Sequence, residues 1–158
     1  MAIEMVERNL VLTRRYDAPP DVVFRAWTEP EQMKHWWGPH GWSIPLSEAD
    51  LRPGGAFRYA MRSPEGHEHM VEGTIGEIDP PRRIVTVSEL GGDGNHPPIR
   101  VVTAVTFEEQ GGATLVTVDT TVSGSGEWFD AATEGMDQHW GEHMERLGDY
   151  LSTFAGKE

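Results

Sequence analysis

From about position 42 to 122, apolar residues mostly alternate with polar ones; from Met136 on they recur every three or four. Leu10 to Tyr16 reads as a strand, with Leu10, Leu12 and Arg14 alternating against Val11, Thr13 and Arg15. Ala18-Pro19-Pro20-Asp21 opens a helix on which Val22, Val23, Ala26 and Trp27 share helical spacing. Thr28-Glu29-Pro30 breaks it, and Glu31 to Trp36 forms a second short helix stopped by Gly38-Pro39. Six strands follow: Trp42 to Asp50, Ala56 to Arg62, His69 to Ile78, Arg83 to Leu90, Ile99 to Glu108 and Thr114 to Val122. Turn clusters at Ser63-Pro64-Glu65-Gly66, Asp79-Pro80-Pro81, Gly91 to Asn95 and Gln110-Gly111-Gly112 separate them, and such short links favour an antiparallel meander.

From Trp128 to Phe154 there is no proline, and Met136, Trp140, Met144, Leu147, Leu151 and Phe154 make one apolar stripe on a long helix. Glu142, Glu145, Arg146 and Asp149 fall off that stripe. Gly135, Gly141 and Gly148 each cost about 1 kcal/mol of helix propensity relative to alanine, so packing on the sheet must hold the helix. The expected fold is α+β: a curved seven-stranded antiparallel sheet wrapped round a long C-terminal helix, with two short helices after the first strand. One helix cannot fill so wide a concave face, and a cavity between them is the expected consequence.

Composition narrows the function classes. A chain of 158 residues suits a single domain, 1–158, and lacks any apolar run near the 18 or so residues of a membrane span. Met1 to Arg8 carries Glu4 and Glu7 and no apolar stretch, so it does not read as a secretory signal. There is no cysteine, which excludes thiolate chemistry and makes the cytoplasm the expected location. The net charge of −13 repels phosphate backbones, so no nucleic-acid partner is expected. The acidity reads as solubility in a saline medium or as a docking face for a basic partner, and composition does not separate the two.

Several landmarks resemble the START-like (SRPBCC, helix-grip) superfamily. They are Arg15-Tyr16-Asp17-Ala18-Pro19 with Val22, Phe24, Ala26 and Trp27; Trp36-Trp37-Gly38-Pro39; and Asp50-Leu51-Arg52-Pro53-Gly54-Gly55. Gly73 with Ile78, Pro80, Pro81, Arg83 and Ile84, and Trp140-Gly141 with Leu147 and Leu151, complete the set. Within the superfamily, residues 9–155 are most similar to the family named after the activator of the 90-kDa heat-shock protein ATPase. The resemblance implies a helix-grip fold and a pocket for a small apolar or amphipathic molecule. It does not choose among carriers, cyclases and members without an assigned role. The eukaryotic co-chaperone behind the family name engages the chaperone through a separate N-terminal domain, which these 158 residues are not expected to hold.

Strand alternation assigns the pocket wall. Phe57, Tyr59 and Met61 share one strand face, and His69, Val71 and Gly73 share another. Trp36, Trp37, Met136, Trp140 and Met144 are expected to close the cavity from the helical side. Glu89 and His143 are further polar candidates in or near it, while Arg52 and Arg58 are expected at the surface or rim. His143, His69 and Tyr59 are the candidates for acid–base chemistry. His139-Trp140-Gly141-Glu142-His143 matches the inverted zincin pattern and puts His139 and His143 one turn apart, but a catalytic metal needs a third ligand that the motif does not supply. A looser metal site would draw on His67 or His69. No phosphate loop, nucleophile elbow or EF-hand pattern is present, and no cofactor is expected.

Three readings result. The first is a binding module holding a small apolar ligand; the second is an enzyme of cyclase, dehydratase or hydrolase type using the same cavity. The third is a chaperone-cofactor or other protein-interaction role. An exposed sheet edge would also allow a homodimer.

Overall fold

The structure, a computed structural model, describes residues 5–37, 41–90 and 99–155. Seven strands form one antiparallel sheet: β1 (Val6–Tyr16), β2 (Ser43–Ala49), β3 (Ala56–Arg62), β4 (Glu68–Asp79), β5 (Arg83–Leu90), β6 (Ile99–Gln110) and β7 (Ala113–Gly124). Their spatial order is β1-β7-β6-β5-β4-β3-β2, so β2 to β7 run as a meander and β1 returns to pair with β7. Helices α1 (Pro20–Thr28) and α2 (Pro30–Met33) follow β1, each with proline in its first turn. Two helices, α3 (Gly126–Thr133) and α4 (Met136–Ala155), follow β7.

The strands fall where alternation predicts, with longer ends on β1, β6 and β7. The Gly38-Pro39 stop, the turn from Gly91 to Asn95 and the Phe154 side chain lie outside the described residues. One difference is local and physical. The expected single long helix is broken between α3 and α4, because Gly135 takes φ +73°, a left-handed value that glycine adopts without steric cost. The α3 segment is tied back to the sheet edge: Arg8 on β1 donates to the Thr133 hydroxyl and pairs with Asp130 at 2.7 Å.

Register places the concave face. Row by row across β4 to β7, Ile75, Thr86, Thr103 and Thr120 stand opposite one another, as do Gly73, Ser88, Val101 and Val122. Toward the other end stand Ile84, Val105 and Val118, then Phe107 and Val116. That second end is filled. Tyr16, Val23, Phe24, Val105, Phe107, Val116, Val118, Leu147 and Leu151 are all buried there in one apolar cluster. The Tyr16 hydroxyl donates to the Met144 carbonyl at 2.8 Å and so fixes α4 against β1. Burial favours the neutral phenol and raises the Tyr16 pKa well above the ordinary value, with nearby Arg14 opposing it.

Candidate functional site

The candidate site lies at the unfilled end of the same layer. It is assembled by regions that sequence places far apart: the α1–α2 segment, strands β2 to β7, and the α3–α4 segment. Trp27 is on the buried face of α1. The turn after α2 then sends two adjacent tryptophans in different directions. Trp36 is fully buried in the core and donates its indole N–H to the Ala26 carbonyl at 2.9 Å. Trp37, held by its backbone N–H to the Met33 carbonyl, stands over the cavity.

The rings pack edge to face. Trp27 and Trp140 lie nearly parallel, 9° apart with centroids separated by 6.4 Å. Trp37 stands almost perpendicular to both, at 5.7 and 5.6 Å. Tyr59 meets Trp37 at 6.0 Å, again edge-on. Such T-shaped contacts set the positive ring edge on the negative face of the next ring. The cluster divides the cavity into two lobes that share Trp37, Tyr59, Ser88, Val101 and Trp140. The lobe beside α2 has a volume of about 130 Å³ and reaches Met33, Phe57, Ile75 and Ile84. The lobe beside α3 has a volume of about 220 Å³ and reaches Met61, Val71, Met136 and His143.

The floor is apolar sheet punctuated by hydroxyls. Ser47, Thr86, Ser88 and Thr103 face the first lobe, and Ser88, Thr120 and Thr133 the second. Thr103 and Thr120 link the two floors through a buried hydroxyl pair at 2.9 Å. Gly73 is required by packing beside this floor: a Cβ there would stand 2.3 Å from the Val87 carbonyl oxygen and 2.6 Å from the Phe57 ring. Its absence lets Phe57 lie flat on β4, stacked parallel to Tyr59.

Two titratable groups face the aromatic cluster. His143 is buried, its ring 4.8 Å from Trp37 and 5.1 Å from Trp140. Burial, with Arg146 and His139 nearby, pushes its pKa down to about 3, so the imidazole is neutral at physiological pH. Tyr59 is pushed up to about 12 by burial, with the Trp37 indole N–H donating to its oxygen and opposing that shift. Both groups can therefore offer hydrogen bonds without charge.

The structure brings together Trp37, Phe57, Tyr59, Met61, Val71, Met136, Trp140 and His143, all expected from sequence. It places four others elsewhere. Trp36 and Met144 belong to the filled core: Trp36 turns back onto α1, and Met144 is fully buried in the same cluster. Glu89 points to the outer face, where its register partners are Glu72 and Arg100. The alternation of Ile84, Thr86 and Ser88 already required this. His69 has the inward parity of Met61 and Val71, but it sits past the cavity, exposed and 6.1 Å from Trp42. His139 is exposed at the rim of the second lobe, one helical turn from His143. Among the described residues, no three His, Asp or Glu side chains come together as a metal site.

Arg146 was not singled out by sequence, since it falls off the apolar stripe. It reaches the backbone of the Trp-bearing segment and donates to the carbonyls of Trp37 at 3.0 Å and Trp42 at 3.4 Å. Partial burial pulls its pKa down. Its long-range partners, 109 and 104 residues away, leave no mark in local periodicity.

A curved seven-stranded antiparallel sheet with a long C-terminal helix, and short helices after the first strand, defines the helix-grip class of START-like proteins. The family described as "Activator of Hsp90 ATPase homolog 1-like protein" matches residues 17–152, and the chain belongs to that family. Among solved structures, a protein from Nitrosomonas europaea is similar at 25% identity and TM-score 0.77, with 94% of this chain and 96% of that one covered. A putative uncharacterized protein from Rhizobium leguminosarum is 25% identical with TM-score 0.74, covering 97% and 99%. The AHSA1 protein from Silicibacter pomeroyi shares the fold at 20% identity and TM-score 0.73, covering 92% and 99%. No curated protein matches the chain. No described helix is long and apolar enough to cross a membrane.

Proposed function

We propose that this protein binds a small apolar or amphipathic molecule in the two-lobed cavity between sheet and α4. The observation that carries this reading is the partly open cavity floored by neutral hydroxyls and walled by Trp27, Trp37, Trp140, Phe57 and Tyr59. Aromatic walls give a ligand large contact area, and a few fixed polar groups orient it. The cavity's neutral His143 and Tyr59 would serve as hydrogen-bonding groups. In this reading the protein acts in the cytoplasm, and residues 1–158 work as one START-like domain.

Native mass spectrometry of protein purified from cells tests the proposal. An organic adduct lost on denaturation is expected. Trp140→Ala should retain the circular dichroism of the wild type yet lower adduct occupancy or probe affinity about tenfold. Unchanged binding in both Trp140→Ala and Tyr59→Ala would overturn the cavity as the site.

A further inference from the structure

The chemistry of the cavity narrows its ligand, and this inference rests on the binding reading above. We propose that the cavity selects uncharged molecules, a flat apolar body carrying a hydroxyl or carbonyl oxygen, and discriminates against the corresponding carboxylates.

Three independent observations lead there. First, among the described residues lining either lobe there is no lysine or arginine. Arg146, the nearest cation on α4 to the aromatic cluster, is committed to the Trp37 and Trp42 carbonyls. Arg8, which is not itself part of the lining, reaches the edge of the second lobe at Thr133, where it is committed to the Thr133 hydroxyl and Asp130. Second, Glu48, the one acidic side chain among the described residues lining the lobes, is exposed and paired with Arg58 at 2.8 Å, so the Arg58 guanidinium is already engaged by a carboxylate. The whole chain carries −13, which lowers the local concentration of anions. Third, the polar groups that do face the lobes are neutral. Ser88, Thr86 and Thr103 can donate to or accept from a ligand oxygen. The His143 imidazole, boxed by two indoles, offers no positive charge.

A carboxylate entering this space would give up water and gain no countercharge, which is the expensive case of polar burial. An ester or alcohol of the same skeleton gives up far less and finds hydroxyl partners on the sheet. The parallel Trp27 and Trp140 with the perpendicular Trp37 favour a flat ring system, which suits naphthalene-sized probes.

The test titrates the full chain by calorimetry at pH 8 with three probes on one skeleton: 2-naphthol, methyl 2-naphthoate and 2-naphthoate. The expected result is measurable binding of the two neutral probes and binding of the carboxylate weaker by about tenfold or more. Ser88→Lys, which places a cation at the boundary of both lobes, should reverse the order of the ester and the carboxylate. If the wild type binds carboxylate as tightly as ester, the selectivity inference is overturned while the cavity reading stands. If none of the three binds, the cavity reading falls first and takes this inference with it. A Ser88→Lys variant that fails to fold leaves the wild-type comparison decisive by itself.

Discussion

The two ends of the layer between sheet and α4 use the same elements and reach opposite outcomes. At the filled end, Leu147 and Leu151 are buried in one cluster with Tyr16, Phe107 and Val116. Gly148 carries no side chain where a Cβ would lie 3.4 Å from the Tyr16 ring. At the open end, α4 presents Trp140 and His143, wide rings that stand on their edges and leave space beside them. The sheet changes in step, from Val105, Val118 and Phe107 to Ser88, Thr86 and Thr103. The filled end is close-packed by aliphatic and aromatic side chains together, whereas at the open end the small Ser88, Thr86 and Thr103 bring little bulk from the sheet to meet the rings. One end therefore holds the fold and the other is available for binding.

The sharpest way to break the comparison is at the filled end. Leu147 is fully buried, and Leu147→Ala should cost about 2–5 kcal/mol in denaturant unfolding with probe affinity kept in the folded fraction. A loss under about 1 kcal/mol would mean that this end is not close-packed. The second test is acid. In the unfolded chain His143 binds a proton near its ordinary value of 6.5, but in the folded protein only near about 3. Its contribution is present above pH 6.5 and is lost as pH falls toward about 3, where the cost reaches a few kcal/mol. His143→Leu should flatten that part of the stability-versus-pH curve, and an unchanged slope would show the imidazole to be accessible to protons. The smallest effect is expected at Gly73. Gly73→Ala should destabilise by about 1–3 kcal/mol and displace Phe57 into the first lobe, weakening probe binding. Crystallography of the variant with Phe57 unmoved would remove glycine from the list of cavity-shaping residues.

Much of this was legible in the chain. Period-two alternation located every strand, because each has one face toward the helix and one toward water. The spacing of Trp140, Met144, Leu147 and Leu151 located the α4 stripe. The break at Gly135 was visible as a residue but not as a conformation, since a glycine inside a helical pattern is compatible with either. The divergence of Trp36 and Trp37 depends on a turn after α2, and adjacent apolar residues give no sign of which one enters the core. Arg146 was missed for the reason that long-range hydrogen bonds leave no periodic trace. Glu89, by contrast, was misplaced although alternation along β5 put it on the outer face.

The pairing of β1 with β7 joins Val6 to Gly124 and Tyr16 to Thr114. On a ribosome, β2 to β7 can zip up hairpin by hairpin as they emerge, each strand beside the one just made. Among the described strands, β1 pairs only with β7, the last of them in sequence. The β1–β7 pairing therefore closes the longest loop in the sheet, the one whose closure costs the most chain entropy.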